Sequence, residues 1–301
     1  MTELARAAAT GLDTAAGHGG QQVLDRLVGL LDLEKIEENI FRGVSPPHSP
    51  TRVFGGQVAG QALVAAGRTV PEERTVHSLH AYFIRPGDPK VPIVYEVDRI
   101  RDGRSFTTRR VTAVQHGKAI FALSASFQLD EDGVEHSEQM PDVPDPESLP
   151  TLLERTGEYA DKLGLRAQPR PIDIRYVNDP PWVTRESGER PSRNQVWMRA
   201  DGMLADSQLL HVCVLTYASD MTLLDSVLAS HGVYWDLDRV LGASLDHALW
   251  FHRPFRADEW FLYDSGSPTA SGARGLATGR FFSRDGRHLA TVVQEGLIRV
   301  L

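Results

Sequence analysis

Residues 80–95 read HAYFIRPGDPKVPIVY, and residues 248–263 read ALWFHRPFRADEWFLY. Phe83, Arg85, Pro86 and Tyr95 of the first stretch meet Phe251, Arg253, Pro254 and Tyr263 of the second, each 168 positions later, and Tyr82 meets Trp250 at the same offset. What surrounds each stretch repeats as well. Before the first lies FGGQVAGQALVAAGR (54–68), a small-residue-rich run predicted to be helical, whose Gly55-Gly56 entrance lets another backbone or a ligand come close. Before the second lies DSQLLHVCVLTYASDMTLLDSVLAS (206–230), also helical in character. Each stretch opens four strand-like runs. They fall at 77–87, 91–100, 105–115 and 119–128, then at 245–255, 259–266, 273–283 and 288–300, most of them punctuated by Gly, Pro or Asp turns. One order of elements used twice predicts an internal duplication. A helix that buries against a curved antiparallel sheet gives an α+β layer architecture. Two such units can join their sheets edge to edge, which also covers exposed edge strands.

The remaining segments are read around this pair of units. Apolar residues at Val23, Leu24, Leu27, Val28, Leu30 and Leu31 predict a short amphipathic helix over 21–33. A strand is expected over 36–44, ended by Ser45-Pro46-Pro47. The acidic, Pro-rich run DEDGVEHSEQMPDVPDPESLP (130–150) is the linker candidate, with little apolar content to bury. A helix over 149–165 is expected inside that crossover, followed by strands over 171–177 and 194–201.

The chain has 301 residues, about two units of 150, and 41% hydrophobic against 24% charged residues gives it enough apolar side chains for a sizeable core. A net charge of −8 argues against a surface built to grip nucleic-acid phosphate. No run approaches the roughly 20 apolar residues that span a bilayer. Residues 1–20 lack the basic start and apolar stretch of a secretory signal and are read as a loose tail, so a cytoplasmic protein is expected. The single cysteine, Cys213, allows neither an internal disulfide nor a cysteine-based zinc site, and its apolar neighbours mark it as a buried, inert thiol.

No phosphate loop, dinucleotide fingerprint or GxSxG elbow is present, and the histidines form no metal-ligand pattern, so no metal and no cofactor are expected. Asp220 falls where a helix is predicted to begin. There it can cap free N–H groups, and the same helix end can hold its carboxylate ionised for work on water. Ser244 is read as opening the strand SLDHALWFHRP, where a serine is usually structural. Gln294 shares a strand face with Val292, and a neutral amide on that face needs a partner if buried.

Taken together, the segments RVFGGQVAGQAL, VHSLHAYFIRPGD, RDGRSFTTRRVTAVQHGKAIFALSASFQ, YASDMTLLDSVL, LDHALWFHRPFRADEWFLYDSGSPTASGARG and VQEGLIR resemble the type II acyl-CoA thioesterases over roughly residues 24–301. The resemblance implies a double hotdog fold: an N-terminal hotdog over 21–130, a crossover over 131–170, and a C-terminal hotdog over 171–301 that carries the catalytic residues. It implies hydrolysis of fatty acyl-CoA, of medium to long chain, to free acid and coenzyme A, within fatty acid metabolism. Its catalytic Asp, Thr or Ser, and Gln fall on Asp220, Ser244 and Gln294. Serine at 244 keeps the hydroxyl where many relatives have threonine; the missing methyl bears on its positioning. Gly55, Gly56, Gln57 and Met221 are the candidates for oxyanion or substrate contact. Assembly into homodimers or homotetramers is implied by the family alone.

The duplication adds an expectation of its own. The positions matching Asp220, Ser244 and Gln294 in the first half are Gln57, Val76 and Ala125, so one working site per chain is expected. Two other readings are weighed. A hotdog hydratase or dehydratase acting on enoyl- or hydroxyacyl-CoA would use a His with a paired acid, which Asp246-His247 supplies by type, although strand neighbours point opposite ways. A non-catalytic acyl-CoA binder would not need the three polar residues.

Overall fold

The computed structural model describes residues 18–46, 52–157, 170–235 and 240–301. The expected tail lies almost wholly outside the described residues, as does the latter part of the helix expected over 149–165. Among the described residues no helix is long and apolar enough to cross a membrane.

Helix α1 (His18–Leu31) turns Leu24, Leu27 and Leu31 inward. The single strand expected over 36–44 is a hairpin instead, β1 (Glu34–Glu37) and β2 (Ile40–Gly43), with Glu38 and Asn39 at the turn. The turn reverses a run too short to signal two strands. Helix α2 (Gly55–Gly67) follows, then four long strands: β3 (Arg74–Phe83), β4 (Ile93–Asp102), β5 (Phe106–Gln115) and β6 (Lys118–Leu129). Every residue of α2 from Gly56 to Ala66 is buried, so its low polarity all round reflects a helix enclosed on all sides.

Among its described residues the crossover holds a short 3-10 turn and α3 (Leu152–Thr156), which opens on a capping box between Thr151 and Glu154. Three of its apolar residues, Met140, Val143 and Leu149, pack against Trp197, Trp260, Leu262 and Phe282, and Trp197 Nε1 donates to the Pro144 carbonyl at 2.9 Å. The segment is thereby laid against the C-terminal sheet.

The second unit comprises β7 (Ile172–Tyr176), α4 (Pro181–Ser187), β8 (Arg193–Ala200), α5 (Gln208–Ser219), α6 (Asp225–His231), β9 (Val240–Ser244), β10 (Asp246–Phe251), β11 (Phe261–Ser271), β12 (Arg274–Ser283) and β13 (His288–Val300). The helix expected over 206–230 is thus two helices with a break at residues 220–224. Ser244 closes β9; β10 begins at Asp246.

All thirteen described strands form one antiparallel sheet, ordered β1-β2-β4-β5-β6-β3-β10-β13-β12-β11-β8-β7, with β9 also paired to β13. The halves meet where β3 pairs with β10, from Asp246 opposite Tyr82 to Trp250 opposite Ser78. The registers of the two halves match: His80 lies opposite Ser124 in the first, and Ala248 opposite Val293 in the second. The offset is therefore 168 residues on β3 and β10, and 169 on β6 and β13. This is the double hotdog α+β architecture. Helices α2 and α5 pack together inside it. A Cβ on Gly56 would lie 2.4 Å from the Tyr217 carbonyl oxygen, so only glycine permits the approach.

Candidate active site

The break between α5 and α6 places Asp220. Its φ of −87° and ψ of −2° make it the C-cap of α5, so the expectation that it starts a helix is corrected. The C-terminal end of a helix disfavours a carboxylate. The compensation comes from the other half of the chain: the backbone N–H of Gly56, in the first turn of α2, donates to the Asp220 carboxylate. First-turn N–H groups have no intrahelical acceptor, and the helix end carries partial positive charge. The helix N-terminus that serves Asp220 is therefore that of α2. Gly55 is needed for the fit, because a Cβ there would lie 2.6 Å from Asp220 Oδ2 and 2.8 Å from a Phe83 ring carbon.

Strand β13 places Gln294. Residues 290, 292 and 294 alternate onto the helix-facing side, all fully buried. Along one edge β13 pairs first with β10 and then with β9, the two meeting at Leu245, whose N–H donates to the Glu295 carbonyl at 2.9 Å. That junction carries Ser244 toward Gln294. Gln294 Nε2 donates to Asp220 Oδ1 at 2.9 Å and to Ser244 Oγ at 2.7 Å, and Ser244 Oγ lies 3.4 Å from the same carboxylate oxygen. Three residues 24 to 74 positions apart in the chain thus share one hydrogen-bonded cluster.

The cluster extends to residues that sequence reasoning did not place there. His247 Nδ1 lies 3.0 Å from Gln294 Oε1, and His247 Nε2 lies 2.8 Å from Ser219 Oγ. Tyr263 donates its hydroxyl to the Ser219 carbonyl at 2.9 Å, tying down the helix end that bears Asp220. The requirement that a buried Gln294 find a partner was the available signal for His247; nothing in the sequence signalled Ser219. Asp246 points away from His247 and accepts from the Glu295 N–H at 2.7 Å.

Electrostatics follow from burial. Desolvation pushes the Asp220 carboxyl above its ordinary value, opposed by charge on His247 and by hydrogen bonds from Gln294, Gly56 and Ser244. Burial pushes His247 below its ordinary value, opposed by Asp220 and Gln294. Both shifts favour the uncharged forms, so Asp220 takes up a proton more readily than an exposed carboxylate does.

The other contact candidates are dispersed. Gln57 is buried, its amide donating to the Val44 carbonyl at 3.1 Å and to Ser45 Oγ at 3.2 Å, so its side chain is structural. The Met221 N–H is committed to the Ala218 carbonyl at 3.0 Å, which removes it as an oxyanion donor. Gly55, Gly56 and the Gln57 backbone stay beside the cluster at the start of α2. Cys213 is fully buried and its thiol is pushed up by desolvation, away from thiolate chemistry. Among the described residues no group of three or more His, Cys, Asp or Glu side chains is placed to hold a metal.

This geometry sits on a chain that matches two family descriptions in tandem: acyl-CoA thioesterase over residues 167–297, and acyl-CoA thioesterase N-terminal domain over residues 44–128. Acyl-coenzyme A thioesterase 8 of Mus musculus is 44% identical over 289 residues, 91% of this chain and 89% of that protein. The chain belongs to the type II acyl-CoA thioesterase family. Acyl-CoA thioesterase 2 of Haemophilus influenzae is 40% identical, with 92% of this chain and 98% of that protein covered. The crystal structure of an acyl-CoA thioesterase II from Mycobacterium marinum is 44% identical, superposes with a TM-score of 0.75, and covers 92% of this chain and 98% of that one. As a member of this thioesterase family, the protein is a thioester hydrolase.

Proposed function

We propose that the chain hydrolyses fatty acyl-CoA, of medium to long acyl chain, to free fatty acid and coenzyme A by direct attack of water. Asp220 is the base, and Ser244 and Gln294 fix the water. The observation that carries this reading is the Gln294 amide placed between Asp220 Oδ1 and Ser244 Oγ, at 2.9 and 2.7 Å. A carboxylate, a hydroxyl and an amide converging on one point can hold a water with one proton on the base and its lone pair free.

In the attack, the water oxygen bonds to the thioester carbonyl carbon while its proton passes to Asp220. The carbonyl oxygen becomes an oxyanion. Gly56 already donates to Asp220, which leaves Gly55 and Gln57 as the first-turn N–H donors for that oxygen. The C–S bond then breaks, and the electron pair leaves on sulfur. A thiol with a pKa of about 8.5 departs as thiolate with little help, and the proton held by Asp220 returns to solvent or to the thiolate. No covalent acyl-enzyme and no cofactor are required.

The dehydratase reading loses its acid–base pair. Asp246 is engaged by a backbone N–H, and His247 is 1% exposed with both ring nitrogens occupied. The test is thiol release from a series of acyl-CoA chain lengths. Release that rises toward medium and long chains and is lost in Asp220→Ala and Gln294→Ala is expected; release undiminished in Asp220→Ala overturns the assignment.

A further inference from the structure

We propose that His247 is a positioning residue for this hydrolysis, holding the Gln294 amide in the orientation that turns both of its N–H bonds toward Asp220 and Ser244. The proposal rests on the reading of the site given above. A carboxamide is nearly symmetric in shape, and rotation about its last bond exchanges a donor for an acceptor. While Asp220 is ionised, the carboxylate itself selects the N–H face. Once Asp220 has taken the water's proton it can donate, and the flipped amide, oxygen toward Asp220, becomes competitive. Something outside the Asp220–Ser244 pair must then select the orientation. His247 Nδ1, 3.0 Å from Gln294 Oε1, is placed to do so.

Counting donors fixes the hydrogen on Nδ1. Gln294 Oε1 only accepts, so His247 Nδ1 carries a hydrogen. His247 Nε2, 2.8 Å from Ser219 Oγ, then accepts from that hydroxyl. With the ring neutral and the Ser219 hydroxyl turned to it in place of the Thr216 carbonyl, the donors from Ser219 through His247 and Gln294 run toward Asp220 and Ser244. A second proton on the imidazole would leave this arrangement intact. Nε2–H would donate to Ser219, whose hydroxyl turns to the Thr216 carbonyl at 2.8 Å, and Nδ1 would keep its hydrogen. The amide orientation is the same in both states.

The duplicated half supplies an internal control. The residues equivalent to His247 and Gln294 are Leu79 and Ala125, which lie opposite each other across β3 and β6 and are buried. The fold accepts leucine at this position where no amide has to be held. A buried imidazole costs desolvation unless its nitrogens are bonded, and here both bonds serve the cluster.

Two measurements test this. The first is ¹⁵N NMR of the imidazole in the unmodified protein, which needs no variant to fold: a neutral ring protonated on Nδ1 and bare at Nε2 is expected, and a bare Nδ1 overturns the proposal. The second is acyl-CoA hydrolysis by His247→Leu, the residue of the other half, with folding checked by thermal unfolding. A fall of roughly 10²-fold in kcat is expected, the scale of an approximately 1 Å misplacement, with KM held. His247→Asn, which restores a side-chain N–H, is expected to recover part of it. Normal kcat in His247→Leu beside an inactive Asp220→Asn overturns the brace alone. Undiminished release in Asp220→Asn overturns the hydrolytic site itself, and the tautomer then decides the brace independently.

Discussion

Asp220 is a carboxylate held where burial opposes its charge, and its consequences can be read at single residues. Its folded pKa lies above the ordinary value, so the folded state binds that proton more tightly than the unfolded chain does. Ionising it therefore lowers stability as pH rises from the ordinary carboxylate value of about 4 through the raised one. Asp220→Asn is expected to melt at a higher temperature than the parent at pH 7.5, with the gain vanishing toward pH 4, while hydrolysis falls by about 10²–10⁴-fold, the usual worth of a general base. The two should be measured together by thermal scans and thiol release; a variant both inactive and less stable at pH 7.5 contradicts the electrostatic account. The acid limb of kcat/KM should lie above the ordinary carboxylate range. It should move further up in Ser244→Ala, because that hydroxyl favours the ionised form. Gly55→Ala is expected to lose most activity with its fold retained, since the new Cβ would sit against Asp220 Oδ2. Full activity in that variant would show that Asp220 need not stay where it is. The sequence marked Gly55-Gly56 as a place of close approach, but what approaches was not legible there, because Asp220 arrives from 165 positions away.

At the scale of elements, two junctions make the site. The α5–α6 break was only half legible: residues 206–230 are helical in character and free of Gly and Pro, and Asp220 reads as a helix start where the structure makes it a helix end. What interrupts it is tertiary: Tyr263 on β11 takes the Ser219 carbonyl, and Gln294 on β13 takes the carboxylate. Tyr263→Phe strands a buried carbonyl and is expected to cost about 1–3 kcal/mol, with reduced kcat, as read by chemical denaturation and hydrolysis. An unchanged denaturation midpoint would remove Tyr263 from this role. The β9–β10 junction was hidden. A run such as ASLDHALWF signals a single strand, whereas β13 pairs with two successive partners and so brings the last residue of β9, Ser244, to Gln294. Helix α2 was legible nearly to the residue, from 54–68 expected to 55–67 observed, because its small side chains and flanking Gly and Arg are local signals.

On the scale of the whole molecule, the two halves share a backbone plan and divide the chemistry unequally. The C-terminal half supplies Asp220, Ser244, Gln294 and His247. The N-terminal half supplies the α2 helix end, and holds Leu79 and Ala125 where the other has His247 and Gln294. A tight non-hydrolysable acyl-CoA analogue is therefore expected to titrate one equivalent per chain by calorimetry; two equivalents would contradict the single-site expectation. The sequence by itself determined the duplication, the succession of a helix and four long strands in each unit and the family, because hydrophobic periodicity, turn residues and motif order are properties of neighbouring residues. Only the tertiary structure decided that β3 pairs with β10, that one helix end braces a carboxylate at the other helix's C-terminus, and that His247 faces Gln294. Those contacts join residues far apart in the chain, and their energies depend on burial and donor direction, which a linear pattern does not carry.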